Sequence, residues 1–275
     1  MNADPLAIEA LMREVRRALA SSLQRPVIIG LCGAQGSGKS TLAKAVSETC
    51  GQAGISAAVL SLDDLYLTRA EREGLASDVH PLLLTRGVPG THDVAFGLAL
   101  LGAMKRGEPV RLPRFDKAQD DRCPESEWFQ IAAGCEVLIF EGWCVGARSQ
   151  ERAELELPVN QLERTEDASG DWRDHVNQAL GGAYQALFSL LDRLVLLAAP
   201  NFEVVHGWRL EQEQALAAQD RSAGAFMDAA AIARFVAHYE RLTRHILAEM
   251  PRRADLVVQL DACRRIVAMH RGNHM

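Results

Sequence analysis

The sequence predicts an α/β fold, a parallel sheet with helices on both faces, and three observations carry that expectation. Five short apolar stretches read as buried strands, at residues 26–32, 55–62, 136–140, 194–198 and 256–260. Enough chain separates each from the next for a helical crossover, as parallel neighbours require. Apolar residues recur at helical spacing over residues 94–105, 172–190, 203–218 and 229–248.

The first element reads as an amphipathic helix. Asp4 as N-cap and Pro5 in the first turn precede Leu6, Leu11, Met12, Val15 and Leu19 at helical spacing. Glu9, Arg13, Glu14, Arg16 and Arg17 interrupt those apolar residues, so this segment is neither a secretory signal nor a membrane span. The cytoplasm is the expected compartment.

After the first strand, Gly33, Ala34, Gln35, Gly36, Ser37, Gly38, Lys39, Ser40 and Thr41 fill the pattern G-x-x-x-x-G-K-[ST]. The glycines let the backbone fold round the phosphates of a nucleoside triphosphate with its N–H groups pointing inward. Lys39 brings a mobile positive charge, and Ser40 offers a hydroxyl to Mg²⁺. Leu42, Ala43, Lys44, Ala45 and Val46 follow as good helix formers, so a helix N-terminus faces the phosphates. The plain alternative is a glycine-rich surface turn; the strand before and the helix after weigh against it.

The second strand ends in paired carboxylates, Asp63 and Asp64, where open parallel sheets place ligand contacts. Transfer of a γ-phosphoryl group to an alcohol needs a group that accepts the hydroxyl proton, and Asp63 is the candidate. Capping of the following segment is the alternative for both residues, and the stronger one for Asp64. The strand at residues 136–140 runs directly into Glu141 and Gly142, a placement suited to the carboxylate that orients Mg²⁺ or its water. A buried ion-pair partner is the alternative for Glu141. Arg209, in the helix beginning near Asn201, is a candidate cation reaching over the phosphates from a lid, against the plain reading of a solvated helix arginine. Residues 78–90, rich in proline and glycine, and residues 147–170, polar and acidic, read as loops or insertions. The first is expected to carry chemistry; the second reads as a solvated excursion in preference to a lid or an oligomer contact.

With 275 residues, 48% hydrophobic and 24% charged, the chain has the composition of one large α/β domain or of a domain with insertions. A net charge of −6 argues against sequence-independent binding to nucleic acid or to an anionic membrane. Cys32, Cys50, Cys123, Cys135, Cys144 and Cys263 form no C-x-x-C pair and are too sparse for a disulfide scaffold, so they read as reduced thiols.

Taken together, these stretches resemble the D-glycerate 3-kinase family, which stands with uridine kinase, pantothenate kinase and phosphoribulokinase among the P-loop kinases of small alcohols. The likeness rests on the glycine-rich loop at 33–41, on Ser61-Leu62-Asp63-Asp64-Leu65-Tyr66-Leu67-Thr68 and on Thr85-Arg86-Gly87-Val88-Pro89-Gly90-Thr91-His92-Asp93. It continues in Leu112-Pro113-Arg114-Phe115-Asp116-Lys117 with Asp121 and Arg122, in residues 140–146 and in residues 208–213, in family order over most of the chain. The resemblance implies a three-layer P-loop NTPase fold with a five-stranded parallel core, in one kinase domain over residues 1–275. Within it the N-terminal helix takes 1–25, acceptor-binding segments 64–135, an insertion 147–170 and a lid 201–225.

It further implies an ATP- and Mg²⁺-dependent kinase that acts on D-glycerate to give 3-phosphoglycerate, with Lys39, Asp63, Glu141 and Arg209 catalytic and Ser40, Asp63 and Glu141 on the metal side. The acceptor falls to Asp64, Tyr66, Arg86, His92, Asp93, Arg114, Lys117 and Arg122. The chemistry of those residues agrees, since a small hydroxy acid needs a cation for its carboxylate and polar groups that fix which hydroxyl attacks. Arg86 is the first choice of cation. For any one residue of the charged stretch 111–122 the alternative is a mutually paired surface loop, and for His92 it is a structural hydrogen bond.

Three rival readings stand beside this one. A kinase of pantothenate, a nucleoside or a sugar phosphate shares every motif, although a chain only 5% aromatic offers few stacking surfaces for a nucleoside. A nucleotide-driven switch is disfavoured because no N-K-x-D guanine-recognition tetrad occurs. An ATP-binding protein without turnover would keep the same motifs.

Overall fold

The computed structural model describes residues 3–219 and 229–272. Helix α1 (Pro5–Ser21) is capped by Asp4, whose carboxylate accepts from the Leu6 N–H at 2.8 Å, and it buries Leu11, Met12, Val15 and Ala18. Strand β1 (Val27–Gly33) is buried along its whole length and leads through the glycine-rich loop into α2 (Lys39–Gln52). Strand β2 (Ala57–Ser61) ends in one turn of 3₁₀ helix, Leu62–Leu65. Helix α3 (Arg69–Asp78) opens on a capping box between Thr68 and Glu71, and α4 (Val94–Lys105) is capped by Asp93.

Four short strands follow: β3 (Val110–Leu112), β4 (Phe115–Asp116), β5 (Asp121–Arg122) and β6 (Phe129–Ile131). They nest as hairpins, with β3 antiparallel to β6 and β4 antiparallel to β5. Then come β7 (Val137–Gly142), α5 (Gln161–Glu166), α6 (Asp171–Gly181), α7 (Ala183–Phe188) and β8 (Arg193–Ala198). Helices α8 (Glu203–Gln219) and α9 (Ala229–Glu249) precede the last two strands, β9 (Leu256–Leu260) and β10 (Ile266–His270).

The main sheet has the order β10-β9-β8-β1-β7-β2. Five of its strands run parallel, as expected, and β10 adds an antiparallel edge to β9. That sixth strand escapes sequence reading because it lacks a buried apolar run: Val267 is 61% exposed and Ala268 and His270 also face out. Alternate residues of the central strands feed two cores. Val27, Ile29 and Leu31 pack with Leu11 of α1, Val46 of α2 and Trp208 of α8. Ile28, Leu138 and Phe140 pack with Leu101 of α4, Leu187 of α7 and Tyr239 of α9. The result is the α/β three-layer arrangement, mostly parallel at its centre.

Three further differences have physical reasons. The helix expected over 172–190 is broken at Gly181 and Gly182, where the latter takes φ −98° and ψ −109°. Helix α3 is polar, with only Arg72 buried, so no apolar stripe marks it. The stretch 147–170 is exposed over much of its length, as a solvated excursion would be, but it is anchored to the core at several points. Glu163 is buried and paired with Arg241 of α9 at 2.7 Å, while Asp167 is buried and paired with Arg173 at 2.9 Å. Leu162 and Trp172 complete a third core with Leu82, Leu83 and Val88, so the segment braces the chain at 80–93. All six cysteines are free. Among the described residues no helix is long and apolar enough to cross a membrane.

Candidate active site

The parallel register brings the site together. Glu141 lies level with Leu31 on one side and Ser61 on the other, so the ends of β1, β2 and β7 open at one height. The loop after β1 turns through Gly36 at φ +75°, in the left-handed region, where an added Cβ would also come within 2.6 Å of the Trp208 Cβ. Gly38 caps α2 without any side-chain acceptor, which leaves the first N–H groups of the helix for an anion.

Ser40 Oγ donates to Glu141 Oε1 at 2.8 Å. Glu141 is buried, and its Oε2 has no hydrogen-bond partner among the described residues. A buried carboxylate oxygen without a donor, beside a loop hydroxyl, suits a hard divalent cation. Among the described residues no cluster of three His, Cys, Asp or Glu could hold a metal, so such a cation would draw its remaining ligands from phosphates and water.

The loop divides two clefts. One, of about 290 Å³, is lined by Gln35, Gly36, Lys39 and Ser40 of the loop together with Asp63, Asp64, Tyr66, Arg86, Lys117, Glu141 and Arg209. The other, of about 410 Å³, lies against Ser37, Gly38 and Thr41 and is walled by Pro5, Leu197, Val258, Leu260 and Arg264. Arg264 donates to the Gly36 carbonyl at 2.6 Å.

Asp63 sits in the turn after β2, where Ser61 Oγ accepts from its backbone N–H at 3.3 Å. Tyr66 donates its hydroxyl to Asp63 Oδ1 at 2.9 Å, and Lys117 donates to Oδ2 at 2.5 Å. Burial pushes the Asp63 carboxyl up, but the Lys117 and Lys39 charges and these two hydrogen bonds outweigh it, and the group ends well below the usual carboxylate range. Asp64 moves the other way. Burial, with the Asp63 charge adding, pushes it up to about 6 although its Oδ1 accepts from the Phe115 N–H at 3.1 Å.

The remaining candidates divide. Arg86 lines the cleft, yet its guanidinium pairs with Asp120, donates to the Lys117 carbonyl at 3.3 Å and lies 5.5 Å from the Phe115 ring centre. His92 is buried, stacks on Tyr66 at 4.6 Å and has its Nδ1 2.6 Å from the Tyr184 hydroxyl; burial pushes its pKa down to about 3. Asp93 accepts from the Phe96 N–H at 3.0 Å as the cap of α4 and pairs with Arg122 at 3.3 Å. Arg122 also donates to the Tyr66 carbonyl at 3.0 Å. Arg114 is exposed. Of the acceptor set, then, Asp64, Tyr66, Arg86 and Lys117 line the cleft, while His92, Asp93, Arg114 and Arg122 do not. Arg209 reaches it from α8, with its guanidinium 5.2 Å from the Phe235 ring centre. The part of the expected lid at 220–225 lies outside the described residues.

Sequence reasoning missed Ser61, Trp143, Phe235 and Tyr239, which also line this cleft. A low aromatic content therefore says little about this particular wall. The rings nevertheless pack on one another: Trp143 meets Tyr239 edge-on at 4.9 Å, and Phe235 meets Tyr239 at 5.0 Å. Trp143 donates to the Gly87 carbonyl at 2.8 Å and Tyr239 to the Arg86 carbonyl at 2.9 Å, which clamps that turn. Gly87 has φ +129°, and a Cβ there would fall 1.9 Å from the Tyr239 hydroxyl.

A phosphate-binding loop, a carboxylate behind it and a cleft lined by both carboxylates and cations at the carboxyl ends of parallel strands are the equipment of a P-loop phosphotransferase. Residues 28–159 match the family described as Phosphoribulokinase / Uridine kinase family. The chain belongs to that family and is an ATP-dependent small-molecule kinase. It is 38% identical to an uncharacterized kinase, mug58, of Schizosaccharomyces pombe, over 78% of this chain and 79% of that one. It is 29% identical to the chloroplastic D-glycerate 3-kinase of Arabidopsis thaliana, over 86% of this chain but only 53% of the plant protein. A solved D-glycerate 3-kinase from Cryptococcus neoformans superposes with a TM-score of 0.83 at 23% identity, covering 98% of this chain and 100% of that one. That last likeness speaks to the fold. The family resemblance read from the sequence is borne out.

Proposed function

We propose that the chain transfers the γ-phosphoryl group of Mg²⁺-bound ATP to D-glycerate, giving 3-phosphoglycerate. The observation that carries this reading is the bonded pair of Asp63 and Lys117 lining the same 290 Å³ cleft as Lys39 and Ser40 of the phosphate loop. A carboxylate for the attacking hydroxyl stands beside an ammonium for the acid group, in a space suited to a small acceptor. Similarity to a protein named D-glycerate 3-kinase supports the same acceptor.

In this reading the loop at 33–41 holds the phosphates, and the second cleft takes the nucleoside. Ser40 and Glu141 would hold Mg²⁺, which would supply charge that neutralises the phosphates. Asp63 has both oxygens engaged by donors, so it belongs on the acceptor side. Asp63 remains ionised at neutral pH and accepts the hydrogen bond of the attacking hydroxyl, then its proton as the new O–P bond forms. Weak basicity suits a loose transition state in which the nucleophile's proton leaves late. Lys39 and Arg209 offset the charge on the transferring group. Three of the lining rings, Trp143, Phe235 and Tyr239, lie against one another, and Tyr66 is stacked on His92, which favours a small acid over a stacked base. The whole chain acts as one kinase domain, and its free thiols fit a reducing cytoplasm.

The test is coupled ADP release with D-glycerate, pantothenate, uridine and a sugar phosphate, each against a control without acceptor, with ³¹P NMR to place the new phosphate. D-glycerate is expected to give turnover far above the control, with the phosphate on the 3-hydroxyl. Turnover with uridine or pantothenate and none with D-glycerate would remove the acceptor assignment.

A further inference from the structure

We infer that Lys117 is a latch on Asp63: its ammonium occupies the base until an acidic acceptor draws it away, which restrains transfer of the phosphoryl group to water. The inference deepens the proposed function and rests on its assignment of Asp63 as base.

The two donors on Asp63 differ in kind. Tyr66 is buried, stacked on His92 and met edge-on by Phe115 at 5.1 Å, so its hydroxyl is a fixed partner. The Lys117 side chain is 61% exposed on a flexible stem, so its ammonium can leave. Its backbone cannot readily follow. The Lys117 carbonyl accepts from Arg86, and the neighbouring Asp120 is gripped from two sides, by Arg86 and by Arg72 at 3.0 Å. Arg72 is almost wholly buried and also donates to the carbonyls of Asp120, Leu84 and Leu67. A fixed hairpin tip carrying one mobile cation has the construction of a gate.

The charges decide what opens it. Arg86 is paired with Asp120, and Lys39 belongs to the phosphate loop, whereas the Lys117 ammonium is already within the cleft and bonded to the base. An acceptor carboxylate offers Lys117 a bond of the same charge-assisted type that it makes with Asp63. The exchange therefore costs little, and it leaves Asp63 to the acceptor hydroxyl. That hydroxyl oxygen bonds to the γ-phosphorus as the bond from phosphorus to the ADP oxygen breaks, and its proton passes to Asp63. With water in its place the same step gives ADP and inorganic phosphate, and the latch withholds the base from it.

The experiment measures ADP release at saturating Mg²⁺-ATP without acceptor, for wild type, Lys117→Gln and Lys117→Arg, with circular dichroism to confirm folding. It is repeated with D-lactate, which has the carboxylate and 2-hydroxyl of D-glycerate but no 3-hydroxyl, so that water takes the attacking position. Lys117→Gln is expected to raise acceptor-free ADP release about tenfold, a fraction of what a general base contributes. Lys117→Arg should keep the restraint. D-lactate should stimulate the wild type to a similar degree and leave Lys117→Gln unmoved, and the KM for D-glycerate should rise in Lys117→Gln while the KM for ATP holds. An acceptor-free rate in folded Lys117→Gln equal to or below that of wild type overturns the latch. The D-lactate arm needs no variant: no stimulation in an enzyme that phosphorylates D-glycerate also overturns it. Failure of D-glycerate as acceptor sinks the acceptor assignment alone, because the acceptor-free comparison still decides the latch.

Discussion

Asp63 and Asp64 are adjacent in the chain, and their carboxyls are displaced in opposite directions, one held well below the usual range and the other pushed up to about 6. The turn after β2 points Asp63 at two donors, Tyr66 and Lys117, and points Asp64 at the single Phe115 N–H. Neighbours in sequence thus receive different chemistry from the elements that meet them.

Asp63→Asn keeps the shape but cannot take a proton. A fall in kcat of about 10²-fold or more is expected, with little change in the KM for ATP. Asp64→Asn should be milder, because an amide oxygen still accepts from Phe115. Equal and small losses in steady-state kinetics of the two variants would leave Asp63 without its role.

The raised pKa of Asp64 sets a stability window. Its ordinary value is 3.8, so between pH 3.8 and about 6 the folded chain holds a proton that the unfolded chain has released. Stability from this group is complete below that window and is lost as pH rises through it. Asp64→Asn removes the loss. Thermal melts should show the variant gaining on wild type more at pH 7.5 than at pH 4, and a gap that does not change with pH would contradict the assignment.

His92 works with the opposite sign. Buried as the neutral ring, with its pKa pushed from 6.5 to about 3, it favours folding above pH 6.5, and that contribution is lost as pH falls through the window. In urea unfolding, wild type should lose more stability than His92→Gln between pH 7.5 and pH 5. Parallel losses would mean that the ring is not held neutral.

Arg241 and Glu163 test the bracing segment. Arg241→Met leaves Glu163 buried without its cation and should cost about 3–5 kcal/mol in chemical unfolding. Pairing it with Glu163→Leu should recover much of that. If the single variant cost under about 1 kcal/mol, the segment would be a solvated one after all.

Ser40→Ala and Glu141→Gln should each raise the Mg²⁺ concentration needed for half-maximal rate by several-fold, with the fold intact by circular dichroism. A Mg²⁺ titration that superposes on wild type would remove Glu141 from the metal side.

Legibility in the sequence followed the range of the interactions. The phosphate loop is a local pattern between a strand and a helix, and Asp63 and Glu141 are marked by the apolar runs that they end, so each is visible within ten or so residues. The partition of cations is not. Arg86 and Lys117 both look like acceptor ligands, and only the fold shows one guanidinium committed to Asp120 and one ammonium resting on Asp63. Asp93 and Arg122 looked like binding residues because a cap and its ion-pair partner have the same composition as a binding site. Tyr239 lies far along the chain from Gly87, and no periodicity announces that they meet.

That meeting has an evolutionary consequence. A side chain at position 87 would overlap the phenol of Tyr239, and its positive φ is unfavourable to any residue but glycine. The two positions are therefore a locked pair: a lineage that shortens Tyr239 gives up the hydrogen bond to the Arg86 carbonyl without releasing residue 87 from its backbone constraint. Drift should enter from the helix side, at Tyr239, and leave the glycine in place, so Gly87 should be the more slowly changing member of the pair.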